Sequence, residues 1–156
     1  MSVRGAMQGL QALAAATRRS GVPATTHYLI HLRASQINGC SVCIDMHSRE
    51  LRDAGESEAR VDTLAAWRET PYFSDAERAA LALTEAATRL ADSPGAVSDE
   101  IWEEAAKHYD EEELASLVLS IATINAWNRI NAATRQITGD WVDQLIGREP
   151  ATGKAA

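Results

Sequence analysis

Only two cysteines occur in this sequence, Cys40 and Cys43, and no second pair stands elsewhere in its 156 residues. That scarcity excludes a disulfide-stapled scaffold, and it denies a structural zinc site the second ligand pair it normally needs. No run of about eighteen apolar residues exists, so no transmembrane helix is expected. Repeats, low-complexity segments and strand-like alternation are all missing. Acidic residues are missing too from residues 1–44, where Arg4, Arg18, Arg19 and Arg33 fall; all 22 acids lie from Asp45 onward. The formal net charge is −7, which argues against nucleic acid as the main partner. The start of the chain does not read as a secretory signal, because Gln8 and Gln11 interrupt its only apolar stretch. An acid-free, Arg-bearing start also suits a transit peptide, but the acid-free run continues into segments that read as core helices. The expectation is a cytoplasmic protein.

What is present is helical periodicity. With 46% hydrophobic and 24% charged residues, the chain has the composition of an ordinary globular domain and the length to bury a core. A first amphipathic helix is predicted over about 4–18, with Met7, Leu10, Leu13 and Ala14 on one face. Gly21 and Pro23 separate it from a second, about 24–36, and Asn38-Gly39 breaks the chain just before Cys40. A third helix over about 41–54 stops at Gly55. Ser57 caps a short helix through Leu64 and Trp67, and Ser74 with Glu77 is a capping-box signal for a helix to about Leu90. Ser98 caps another to about His108. Asp110 with Glu113 opens the longest, whose Leu114, Leu117, Val118, Ile121 and Ile124 make the central core element. The fold class is all-α: one domain over 1–146, with 147–156 a disordered tail.

The segment Gly39-Cys-Ser-Val-Cys-Ile-Asp-Met-His47 carries the chemistry. Cysteines at i and i+3 around a helix start come close enough for a disulfide, and the helix N-terminus favours a thiolate there. His47 follows Cys43 by four residues, on the same helical face, where it can act as the thiol's base. The rival is zinc on Cys40, Cys43 and His47, with His27, His31 or His108 as fourth ligand. A third reading is two inert buried thiols.

The run Arg33-Ala-Ser-Gln-Ile-Asn-Gly-Cys40, with Cys43, Asp45-Met-His47 and Gly55-Glu56, resembles the AhpD-like alkylhydroperoxidase core of the carboxymuconolactone decarboxylase superfamily. The likeness extends through Trp67-Arg-Glu, Phe73, Glu77-Arg-Ala-Ala-Leu81, Thr84-Glu85 and Trp127-Asn-Arg129. It implies a thiol peroxidase in an AhpD-like helical domain that assembles as a homo-oligomer, a trimer or hexamer. Carried over, Cys43 is peroxidatic, Cys40 is resolving and His47 is the base. A hydroperoxide is the substrate, and a dithiol electron-donor protein, of lipoyl type, is the reductant; no cofactor or metal is implied. Val42 and Tyr28 stand where fully active members carry a histidine and a glutamate of a proton relay. Tyr28 itself, or Glu77 or Glu85 from another helix, is the candidate substitute. The alternative function is a dithiol redox sensor, or a non-catalytic oligomeric binding protein that retains the motif.

Other residues read more plainly. His27 and His31, four apart, are expected to be solvated or hydrogen-bonded rather than metal ligands. Asn125, Asn128 and Asn131, poor helix formers in a row at helical spacing, point to buried inter-helix hydrogen bonds or a subunit interface. The four tryptophans are expected in the core or an interface.

Overall fold

The computed structural model describes residues 3–147, and every regular element among them is helical. They are α1 (Ala6–Thr17), α2 (Ala24–Asn38), α3 (Ser41–Asp53), α4 (Glu58–Thr63) continued by a 3-10 turn (Leu64–Glu69), α5 (Asp75–Thr88), α6 (Asp99–Ala106), α7 (Glu111–Ala133) and α8 (Val142–Leu145). The expected starts hold because each has a side chain to satisfy the first free N–H groups. Ser57, Ser74, Ser98 and Asp110 all accept from the backbone three residues on, and Ser74/Glu77 and Asp110/Glu113 close full capping boxes.

α2 and α7 run through the centre. α2 packs against α3, α5 and α7, and α7 also meets α1, α3, α5 and α6. α2 therefore buries residues on several sides: Thr26, His27, Leu29, Ile30, Leu32, Ala34 and Ser35. Ile30 joins Leu83, Leu117 and Ile121 in one cluster, and Leu29 and Leu32 join Leu51, Leu64, Trp67 and Leu81 in another. A third cluster, of Ala34, Val42, Ile124 and Val142, takes in Cys40 and Cys43 themselves. Burial of each such large side chain contributes roughly 1.5–3 kcal/mol, so the cysteines sit in a stiff setting.

Three departures from the expected elements stand out. Val118 is 41% exposed, with Leu119 beside it, so the apolar stripe of α7 is wider than the core it meets. The helix begun at Ser57 tightens to 3-10 geometry at Leu64 and bends at Ala66, where the backbone leaves helical angles, instead of running on as α-helix to Trp67. Of the tryptophans, expected in the core or an interface, Trp67 is core, and Trp102 and Trp141 are 43% and 39% exposed on the single chain. α8 was not anticipated; Arg49 of α3 holds it by donating to Asp143 at 2.6 Å. Of the expected tail, all but Gly147 lies outside the described residues.

Candidate functional site

Gly39 ends α2 in a left-handed turn, φ +69°, and so lets Cys40 cap α3 at once. The Cys40 sulfur accepts from the Cys43 backbone N–H at 3.4 Å. The two sulfurs are at disulfide distance, with Cα atoms 5.4 Å apart. Cys40 and Cys43 are 4% and 1% exposed, so bulk solvent does not reach either freely. Asn131 of α7 donates to Cys43 Sγ at 3.3 Å and lies 3.7 Å from Cys40 Sγ.

Cys43, Val42, Met46 and His47 face a cavity of about 500 Å³. Met7 and Ala14 of α1 and Ile124, Trp127 and Ile130 of α7 give it apolar walls, with Trp141 and Leu145 closing one side. Arg18, His31, Glu50 and Asn131 are among its polar groups, with Gln11, Thr123, Thr134 and Gln136 also on the lining. Cys40 does not line it. The half-buried face of α1 thus covers the cavity rather than the core.

His47 is buried, and its Nδ1 lies 2.6 Å from Glu50 Oε2. Glu50 is three residues on, so Cys43, His47 and Glu50 lie at i, i+4 and i+7 on one face. A carboxylate at Nδ1 holds the proton there and leaves Nε2 as the basic nitrogen. That Nε2 is buried and has no hydrogen-bond partner among the described residues.

His31 comes from α2 to stand beside His47, with ring centroids 4.8 Å apart. Its Nε2 lies 2.7 Å from Ser120 Oγ, and Ser120 Oγ lies 3.0 Å from His27 Nδ1. The expected hydrogen bonding of this pair is therefore found; His27 is buried and His31 half-buried. Burial, ahead of the charges of His47, His27 and Arg18, holds His31 well below the usual imidazole range; burial and then Arg18 lower His27. Both shifts favour the neutral imidazole.

The other relay candidates sit elsewhere. Glu85 is tied to Arg33 at 2.6 Å, to Trp67 Nε1 at 3.0 Å and to Arg68. Burial pushes its carboxyl up, but these donors outweigh that and hold it below the usual range. Glu77 belongs to its capping box and to Arg60. Tyr28 packs on the Leu29/Leu32 cluster. None of the three lines the cavity. Among the described residues, no group of three His, Cys, Asp or Glu side chains is placed to hold a metal ion. Asn125 and Asn128 make the expected inter-helix bonds: Asn38 donates to both, Asn125 donates to Thr88, and Asn128 donates to Ser35.

The profile of the carboxymuconolactone decarboxylase family matches residues 4–86. The chain is 45% identical over 117 residues to the uncharacterized protein YdfG of Bacillus subtilis, which spans 75% of this chain and 78% of that protein. A crystal structure of a protein of unknown function from Agrobacterium tumefaciens, suggested to be the antioxidant defence protein AhpD, superposes with a TM-score of 0.82 at 36% identity, covering 88% of this chain and 93% of that one. The debrominase Bmp8 superposes with a TM-score of 0.74 at 25% identity, over 91% of this chain and 74% of its own.

Proposed function

The chain belongs to the carboxymuconolactone decarboxylase family, and within it we propose an AhpD-like thiol peroxidase that reduces an organic hydroperoxide through the Cys40/Cys43 couple. The observation that carries this reading is the one face of α3 on which Cys43, His47 and Glu50 follow one another, opening on an apolar cavity. Cys43 is the peroxidatic sulfur in this reading, because it lines the cavity and Cys40 does not. His47 Nε2 takes the Cys43 proton, and Asn131 donates to the resulting thiolate. The thiolate attacks the hydroperoxide; an S–O bond forms, the O–O bond breaks, and the alkoxide leaves with a proton as alcohol. Cys40 then displaces water from the sulfenic acid to give the disulfide. An external dithiol, of lipoyl type and carried by a partner protein, restores both thiols by exchange. Assembly as a trimer or hexamer in the cytoplasm completes the proposal.

Support comes from the dithiol spacing, the cavity's apolar walls and the suggested antioxidant role of the Agrobacterium relative. Bmp8 supports a second reading, since a dithiol beside an apolar cavity also suits reductive loss of bromide: a carbon–bromine bond becomes carbon–hydrogen, bromide leaves, and the two thiols become the disulfide.

The test is chemical. In Cys40→Ser protein, cumene hydroperoxide should leave a sulfenic acid on Cys43 that dimedone traps and mass spectrometry locates. His47→Ala in the same background should slow its formation by roughly ten- to a thousand-fold. Wild type should turn over hydroperoxide with dihydrolipoamide. An untouched Cys43 would overturn the peroxidase reading, and bromide release from a bromopyrrole by the same reduced protein would replace it.

A further inference from the structure

The site holds a second imidazole that the reaction above leaves without a task. His31 and His47 come from different helices, their rings are 4.8 Å apart, and both line the cavity on which Cys43 opens. Each has one nitrogen occupied, His47 Nδ1 by Glu50 and His31 Nε2 by Ser120. Each has the other, His47 Nε2 and His31 Nδ1, buried with no hydrogen-bond partner among the described residues. Such nitrogens are costly to bury unsatisfied, and two of them on adjoining rings that line the same cavity as Cys43 form a two-point polar site there. We infer that His31 is a further catalytic residue, whose Nδ1 accepts the O–H of the bound hydroperoxide while Ser120 and His27 fix the tautomer that makes this possible.

The tautomer argument rests on counting protons. Ser120 has one hydroxyl hydrogen and is shared between His31 Nε2 and His27 Nδ1. With both rings neutral, it donates to at most one of them: it accepts from the other, or accepts from both and turns its hydrogen elsewhere, and in that last case too His31 Nδ1 keeps its lone pair. When His31 Nε2–H donates to Ser120, and Ser120 donates to His27 Nδ1, the lone pair of His31 Nδ1 is left for a ligand. The reverse order would leave two donors on these rings, Nδ1–H of His31 and the protonated His47, and no imidazole lone pair for the peroxide's own hydrogen. Burial first, and then the positive charge of Arg18, disfavour a cation on His31.

This inference rests on the peroxidase reading and adds positioning to it. Thiolate Cys43 attacks the terminal oxygen of R–O–O–H. As the S–O bond forms, the electron pair of the O–O bond leaves on the RO oxygen, which takes the proton His47 removed from Cys43. Sulfur is oxidised and the peroxide reduced. The hydrogen on the attacked oxygen is not transferred: it becomes the hydrogen of the sulfenic acid, held by His31 Nδ1 before and after. A hydroperoxide anchored in this way presents its terminal oxygen to the sulfur and its R group to the apolar walls.

Two rates measured on the same reduced protein separate this role from simple packing. One is stopped-flow oxidation of Cys43 by cumene hydroperoxide; the other is alkylation of Cys43 by iodoacetamide, which needs the thiolate but presents no O–H. His31→Leu should slow oxidation about 10- to 100-fold, the worth of a hydrogen bond to a reacting group, and change alkylation less than about threefold. His31→Gln, whose side-chain oxygen accepts, should recover part of the loss. Ser120→Ala should give an intermediate loss of oxidation rate, with alkylation unchanged. Wild type that reacts with hydroperoxide, with His31→Leu reacting equally fast or losing both rates together, overturns the role of His31 alone. Wild type inert to hydroperoxide but able to form its disulfide with another oxidant overturns the peroxidase reading, and this role with it.

Discussion

A sulfur that must carry negative charge in a buried place needs a donor, and Asn131 supplies one at 3.3 Å from Cys43 Sγ. Hydrogen bonds to charged groups are worth roughly 1.5–3 kcal/mol, enough to move a thiol's pKa by one to two units. Asn131→Leu should therefore raise the pH at which reduced Cys43 becomes alkylated and slow its oxidation at pH 7 by about tenfold or more. An alkylation profile identical to wild type would show that the amide only fills space. Asn125, Asn128 and Asn131 were readable as a row of packing amides, and the first two are that. The third differs only because α7 passes α3 at the level of the disulfide, which no spacing within α7 reveals. Glu50 had a signal in the sequence: it lies three residues after His47 and seven after Cys43, yet in a strongly acidic region it reads as surface. His31 had none, since its meeting with His47 depends on α2 packing against α3.

At the scale of helices, the sequence was informative wherever a start or stop is a local event. Caps at Ser57, Ser74, Ser98 and Asp110 and the turn at Gly39 need only neighbours within four residues, so they could be read directly. What escaped was set by contact between helices. α8 is only four residues long and is held through Arg49, and the 3-10 turn from Leu64 follows from placing Leu64 and Trp67 on the α2 and α5 side. The seam between α2 and α7 has a consequence for stability. His27 and His31 lie in it, facing Ser120 of α7, with His47 and its partner Glu50 on α3 and Arg18 just past α1. Both rings titrate below their unfolded value of about 6.5. Above that pH neither folded nor unfolded chain protonates them, and they leave stability unchanged. Below it the unfolded chain binds protons that the folded one refuses, so stability falls as pH drops from 6.5 toward the folded values. Thermal unfolding temperature should decline from pH 7 to pH 5, and less steeply in the His27→Gln/His31→Gln double variant. Parallel curves for the two proteins would contradict the assignment.

Over the whole molecule, charge and apolar surface are distributed unevenly. The acid-free first 44 residues supply α1, α2 and the cap of α3, so the disulfide lies where the basic part of the chain gives way to the acidic part. No helix among the described residues is long and apolar enough to cross a membrane. Apolar side chains nonetheless reach solvent together on α7, where Val118 and Leu119 are 41% and 45% exposed between the exposed small residues Ala115 and Ala122. Leu117 and Ile121 of the same helix already fill the core, so this outward stripe is surplus to the needs of a monomer. A second copy of the chain is the partner that suits it, because small residues flanking two aliphatic ones let two helices approach closely. Light scattering at micromolar concentration should then report more than the chain mass of 16.9 kDa, and a trimer or larger if the assembly is the one proposed above. Val118→Glu with Leu119→Glu, which places two charges in that contact and none in the core, should reduce the assembly while leaving the helical circular dichroism intact. A wild type that scatters as a clean monomer would remove the case for oligomers altogether. A mutant that stays assembled would move the contact off α7, toward Trp102 of α6 or the exposed Trp141 and Leu145 near the cavity.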